Sequence, residues 1–210
     1  MKSLIIVGAG GLGREVLQWA RDMNKLNEQW NIKGFLDDNP SALEGNKTGT
    51  PVLGSIIDWI PKNDEVFCCA IAAPLAKENI VKHLKSKGAN FTSIIHPTSI
   101  IGDNNIIGEG LIAYPYSCIT TDSVVGNFVT LLISTVGHNV SVGDFTTISS
   151  YCDITGGVSL GKRVFLGSHV SIVPQRTVGN DAYIGAGSIV MTNIRDNKKV
   201  MGNPARTFTI

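Results

Sequence analysis

The chain has no cluster of lysine and arginine: its formal net charge is +1 and its basic residues are scattered. Non-specific nucleic-acid binding needs a basic patch, so a nucleic-acid partner is not expected. Long hydrophobic runs are also missing. The stretch Leu4-Ile5-Ile6-Val7 is too short for a signal-peptide core or a membrane span, and no longer run follows. A soluble, cytoplasmic protein with no membrane partner is expected. Cysteine is sparse, and none of Cys68, Cys69, Cys118 and Cys152 forms a C-x-x-C pair. The four read as small apolar core residues in a reducing compartment. No histidines and carboxylates share a metal-ligand spacing, so no metal is expected. Charged residues make up only 17% against 43% hydrophobic, which leaves enough apolar surface for a core and argues against disorder.

What the sequence does have is two different periods. Leu4–Val7 reads as a buried strand, and about 12–25 as an amphipathic helix through Leu12, Val16, Leu17, Ala20 and Met23. Ile32–Leu36 reads as a second strand closed by Asp37-Asp38-Asn39-Pro40. Val66–Ala72 reads as a third strand, Lys77–Lys87 as a second helix ended by Gly88, and Phe91–Ile95 as a last strand. Alternating strands and helices predict a small parallel sheet, an α/β Rossmann-like half-domain over residues 1–97.

Beyond His96-Pro97 the period becomes six. Aliphatic residues recur at Ile101, Ile107, Ala113, Ile119, Val125, Leu131, Val136, Val142, Ile148 and Ile154, then Leu160, Leu166, Ile172, Val178, Ile184 and Val190. Glycine follows at nine of these sixteen positions, and small or β-branched residues such as Ser117, Ser123, Thr135, Thr146 and Cys152 often stand four later. Each hexad supplies one face of a prism, with its aliphatic residue inward and the next residue turning the corner. Three hexads make an eighteen-residue coil, and stacked coils bury a column that no single repeat could bury alone. Residues 98–210 are therefore expected to form an all-β parallel β-helix, with about five coils in the repeat block from 101 to 190. One step, Leu131 to Val136, is a residue short, just before His138. Departures from a local rule tend to fall at functional places, although a loop can also absorb a deletion without consequence.

Gly8-Ala9-Gly10-Gly11-Leu12-Gly13 joins the first strand to the first helix as G-x-G-x-x-G, which allows phosphate to approach the helix N-terminus closely. Asp37 ends the second strand near where a ribose-binding acid would lie. The loop fits a nicotinamide dinucleotide, a sugar nucleotide or a ligand-free turn. A dehydrogenase is disfavoured, because the second mononucleotide-binding half is missing and the rest of the chain is committed to the solenoid. Of the four histidines only His138, in Val136-Gly137-His138-Asn139, is expected in the corner region of the coils, where it suits a general base. Gly156-Gly157 lies one coil further on, where it leaves the backbone open to a thioester. A surface corner residue is the alternative for His138. His83 reads as solvated, His96 as a turn residue and His169 as solvent-facing.

These residues together resemble the bacterial sialic-acid O-acetyltransferase family, which includes N-acetyltransferases of nucleotide-linked 4-amino sugars used in glycan biosynthesis. The resemblance rests on the glycine loop with Arg14-Glu15-Val16, on Gly34-Phe35-Leu36-Asp37-Asp38 and on Ile95-His96-Pro97. It continues through Pro115-Tyr116, Gly137-His138-Asn139, Gly143-Asp144-Phe145, Gly156-Gly157-Val158 and Gly202-Asn203-Pro204-Ala205-Arg206. It implies a left-handed, hexapeptide-repeat β-helix and a homotrimer with acetyl-coenzyme A between solenoids. It further implies a nucleotide sugar on the N-terminal domain, near Gly8, Gly10, Gly11, Gly13, Asp37 and Asp38. His138 matches the family's general base and Gly156, beside Gly157, the donor to the thioester carbonyl. Asn139 stands where the family usually has a carboxylate, and Thr147 where some members have a second histidine at the acetyl site. Ala70-Ile71-Ala72-Ala73-Pro74 departs from the family's pattern, and only Lys77 is carried over from that stretch as a substrate contact. The implied activity is acetyl transfer from acetyl-coenzyme A to a nucleotide sugar. Transfer to another small acceptor and a non-catalytic nucleotide-binding solenoid are the alternatives.

Overall fold

A computed structural model describes residues 1–208. The chain divides into two compact units, Met1–Pro97 and Thr98–Ile210.

In the first unit a parallel sheet runs in the order β3-β2-β1-β4, formed by β1 (Lys2–Val7), β2 (Trp30–Leu36), β3 (Val52–Gly54) and β4 (Glu65–Cys69). Leu4, Ile5, Ile6 and Val7 are at most 1% exposed, as a near-continuous apolar run in a two-sided parallel sheet requires. Helix α1 (Gly11–Leu26) buries Val16, Leu17 and Ala20. Helix α2 (Pro74–Ser86) starts three residues before Lys77, because Pro74 occupies its first turn, where a missing N–H costs nothing. Strand β3 was not legible in the sequence: three residues are too few to show a period. Strand β4 ends at Cys69, short of Ala72, as the chain turns towards α2.

In the second unit, short strands stack into three sheets, parallel except for the last strand, Arg206–Thr207, with most partners seventeen or eighteen residues apart, as in Val124↔Ser141 and Ser141↔Ser159. Every ladder residue from Ala113 to Val190 is at most 3% exposed, and each Val, Leu and Ile among them contributes roughly 1.5–3 kcal/mol by burial.

The corners are not turned by the residue after the ladder position. Left-handed φ angles fall three residues after it, at Asn104, Tyr116, Asp122, Phe128, Asn139, Phe145 and Tyr151, and likewise at Arg163, His169, Gln175 and Asp181. The glycine directly after the ladder residue has a different cause. A β-carbon on Gly143 would come 2.5 Å from the Gly161 backbone, and one on Gly167 would come 2.6 Å from Ala186. Close stacking of coils excludes a side chain there.

The short step between Leu131 and Val136 is absorbed at the corner before the one that holds His138. Ile133 (φ 35°) turns the chain one residue early, and Ser134 rather than Thr135 takes the inward place. Ser134 Oγ accepts from the Cys152 amide at 2.8 Å and donates to the Ser149 carbonyl at 2.7 Å. His138's own turn has regular spacing, with Asn139 at φ 58°. The missing residue therefore does not distort it.

Candidate active site

One corner of the solenoid stacks Thr121, His138 and Gly156 in successive coils. The His138 carbonyl accepts from the Gly157 amide at 2.9 Å, and the Asn139 amide donates to the Thr121 carbonyl at 3.1 Å. The imidazole lies exposed over Gly156: a β-carbon built on Gly156 would stand 2.5 Å from both Cε1 and Nε2 of His138. His138 Nδ1 is 2.9 Å from Oδ1 of Asn139. An amide oxygen can only accept, so this contact places a hydrogen on Nδ1, and in the neutral ring the lone pair is then on Nε2. The Gly156 carbonyl accepts from the Gln175 amide at 3.0 Å, while the Gly156 N–H donates to no group among the described residues. A base nitrogen and an uncommitted amide donor thus sit side by side.

The second cluster is the glycine loop. Gly8 (φ +97°) is packed against Ala70 and Ile71, and a β-carbon on Gly13 would collide with the Gly8 carbonyl oxygen, so these two glycines seat α1 on the sheet. A β-carbon on Gly10 or Gly11 would meet nothing within 4 Å. Helix α1 opens at Gly10 without a side-chain cap, which leaves its first amides as anion donors. Asp37 stitches this loop to the end of β2: its Oδ2 accepts from the Ala9 amide at 2.8 Å and its Oδ1 from the Asn39 amide at 2.9 Å. Asp38 instead holds the following turn, accepting from Ser55 Oγ at 2.7 Å and the Ile56 amide at 2.8 Å. The Ser55 hydrogen bond, with help from the Ile56 and Ile57 amides, keeps its carboxyl below the usual range.

The other sequence candidates stand on other elements. Thr147 is buried in the strand Thr147–Ile148, on a different sheet from the strand Thr135–Val136 that leads to His138. Lys77 is fully buried in α2, and loss of solvent pulls its ammonium down to about 7, opposed by the neighbouring Cys69. The same burial pushes the Cys69 thiol up to about 12. His83 is half-buried rather than fully solvated, with Nε2 3.0 Å from the Ile57 carbonyl. His96 packs edge-on against Trp19, with centroids 5.4 Å apart, and burial lowers its pKa against the pull of Asp22. His138 is not alone in the corner region: His169 (φ 61°) itself turns a corner three residues after Leu166, exposed and packed against Tyr151. Among the described residues no group of His, Cys, Asp and Glu is arranged to hold a metal, and no helix is long and apolar enough to cross a membrane.

The sequence reading passed over Arg176. It occupies the place four after ladder residue Ile172, where Val158, Val164 and Val170 are buried at 1% or less. A charged residue in that column was the available signal.

Comparison with known proteins agrees with this architecture. Residues 3–84 match the PglD N-terminal domain. The chain is 30% identical over 212 residues to GDP-perosamine N-acetyltransferase of Escherichia coli O157:H7, covering 96% of this chain and 94% of that protein. Among solved structures, the acetyltransferase domain of PglB from Neisseria gonorrhoeae FA1090 in complex with acetyl coenzyme A superimposes with a TM-score of 0.89 at 25% identity, over 99% of both chains. WeeI from Acinetobacter baumannii AYE does so with a TM-score of 0.88 at 27% identity, over 99% of this chain and 100% of that one. Two clusters on two units, spanned end to end by these relatives, fix the assignment: the chain belongs to the bacterial left-handed β-helix acetyltransferase family that includes GDP-perosamine N-acetyltransferase.

Proposed function

We propose that the protein acetylates the amino group of a nucleotide-linked 4-amino sugar, taking the acetyl group from acetyl-coenzyme A, at the corner formed by His138 and Gly156. The observation that carries this is the pairing of a lone-pair-bearing Nε2 with the uncommitted Gly156 amide. Nε2 removes the proton as the sugar amine attacks the thioester carbonyl, and the Gly156 N–H donates to the oxygen on which charge develops; the C–S bond then breaks and coenzyme A leaves as the thiol, taking the proton back from the imidazolium. Asn139 orients the ring through Nδ1. As a neutral amide it supplies no counter-charge to imidazolium, which a carboxylate in its place would.

The acceptor is held on the N-terminal unit, its phosphates at the open Gly10-Gly11 face of α1 and its nucleoside against the segment that Asp37 and Asp38 fix. Gly8 and Gly13 shape this site by packing, and buried Lys77 supports it from beneath. Gly157 serves the donor site by turning the corner at φ +71°; Thr147, remote from His138 within one chain, contributes to the donor site of the assembled enzyme. That assembly is a cyclic homotrimer, supported by apolar side chains left outward on the solenoid at Ile100, Ile106 and Val124, which are 63%, 65% and 46% exposed. The reaction belongs in the cytoplasm, in a pathway that builds a bacterial surface glycan, and the unpaired cysteines suit a reducing compartment.

The test is coenzyme A release from acetyl-coenzyme A in the presence of GDP-, UDP- and dTDP-linked 4-amino sugars and their 4-hydroxy counterparts. Turnover with an amino sugar and none with the hydroxy sugars is expected. Turnover confined to free sugars or amino acids would contradict the assignment.

A further inference from the structure

Two residues after a ladder position, the corner leaves one backbone amide over. The amide before it bonds to the next coil, as Gly137 does to the Ile154 carbonyl at 2.8 Å, and the amide after it bonds to the previous coil, as Asn139 does to the Thr121 carbonyl at 3.1 Å. On the corner that holds Asn127, Lys162 and Asn180, a side chain meets this spare N–H. Asn127, Lys162 and Asn180 donate to Oδ1 of Asp144, Asn180 and Asp196 at 2.9, 2.8 and 2.9 Å, each acceptor standing at the same place one coil on. The solenoid thus caps its own corner amides wherever the next coil brings a short acceptor. On the His138 corner the same place is filled in turn by Thr121, His138, Gly156 and Pro174. The backbone geometry is shared: a β-carbon on Gly137 would stand 3.1 Å from the Gly156 nitrogen, as one on Gly161 would stand 2.7 Å from that of Asn180. The register is shared too. Gln175 donates to the Gly156 carbonyl at 3.0 Å and so seats Pro174 beside Gly156, just as Asp181, donating to the Lys162 carbonyl at 2.9 Å, seats Asn180 beside Lys162. Where Asn180 offers an amide oxygen, Pro174 offers only ring carbons, and it has no N–H of its own to be capped.

We infer that Pro174 is a positioning residue for acyl transfer: by standing at the capping place with a side chain that cannot accept, it reserves the Gly156 N–H for the thioester oxygen. The inference rests on the acetyl-transfer assignment above. Pro174 touches no reacting atom. It acts through Gly156, and an asparagine in its place would do to the Gly156 amide what Asn180 does to that of Lys162, filling the donor from within the chain.

The experiment compares Pro174→Asn with Pro174→Ala in the full-length protein. Both variants lose the ring, but only asparagine brings an acceptor. Pro174→Asn is expected to lower kcat for coenzyme A release about 10²- to 10³-fold, the effect of losing one oxyanion donor, with the nucleotide-sugar KM unchanged. Pro174→Ala should keep wild-type kcat. The added hydrogen bond should make Pro174→Asn melt about 2–4 °C above Pro174→Ala. Amide hydrogen exchange in the wild-type protein reads the same arrangement without a substitution: the Gly156 N–H should exchange faster than those of Lys162 and Asn180. Equal kcat losses in the two variants, wild-type kcat in Pro174→Asn, or a Gly156 amide as protected as that of Lys162 would overturn the inference. If the wild-type protein turns over no nucleotide sugar, it is the acetyl-transfer assignment that fails, while the exchange and melting comparisons still decide whether Pro174 leaves the amide open.

Discussion

Replacing Gly156 with alanine adds a single carbon at the point where the proposed chemistry occurs. That carbon would stand 2.5 Å from Cε1 and Nε2 of His138 and 3.2 Å from Cδ2, roughly 1 Å short of ordinary carbon contact. The backbone at Gly156 is outside the left-handed region, so the peptide itself tolerates alanine. The imidazole is exposed and can swing away, which keeps the cost to folding within about 0.5 kcal/mol. Swinging away breaks the 2.9 Å contact to Asn139 and moves the base off its line to the acceptor. A displacement of this size costs on the order of 10²-fold in rate. Steady-state kinetics of Gly156→Ala should show that fall in kcat, with nucleotide-sugar KM and melting temperature near wild type. Gly157→Ala is the contrast. Its φ of +71° makes any β-carbon cost about 1–2 kcal/mol of stability, while its nearest new neighbour is only the flexible Gln175 side chain at 3.3 Å. Wild-type kcat in a folded Gly156→Ala enzyme would refute the arrangement.

Further outcomes follow from the same geometry. Gly13→Ala, which drives a β-carbon into the Gly8 carbonyl, should lower the melting temperature sharply, whereas Gly11→Val, with open space around it, should leave the melt unchanged and raise the nucleotide-sugar KM. An unstable Gly11→Val would contradict the open face. Asn139→Asp keeps a residue that tolerates φ 58° and should give kcat at neutral pH equal to or above wild type. Lys77 has a folded pKa of about 7, lowered from 10.5 by burial, so between pH 7 and 9 the unfolded chain binds more protons and stability rises with pH. Denaturant melts of Lys77→Met should lose that rise; an unchanged slope would show that Lys77 is not the group responsible.

The solenoid was legible because its ladder repeats faithfully, and inward burial from Ala113 to Val190 follows it residue by residue. The corner was misplaced by two residues. Glycine after the ladder position looked like a turn signal, but it reflects clearance between coils, and non-glycine residues such as Asn139 and Phe145 carry the positive φ. The short step before His138 marked a corner that Ile133 and Ser134 repair, not the corner that bears the histidine. Asp37 was legible as the acid at the end of β2, but its bond to the Ala9 amide was not, since nothing in local sequence tells a ligand contact from a loop tether. Lys77 sits in a helix whose apolar pattern is weak, so its complete burial had no sequence signature.

The central claim is that His138 is the base. As a group acting in the transition state it should contribute about 10²- to 10⁴-fold to the rate. The decisive measurement is kcat and KM of His138→Ala for coenzyme A release with acetyl-coenzyme A and the preferred 4-amino nucleotide sugar at neutral pH. The predicted result is kcat lowered by that factor, both KM values little changed, and a deficit that shrinks as pH rises towards the amine's own pKa. Wild-type kcat in His138→Ala would contradict it.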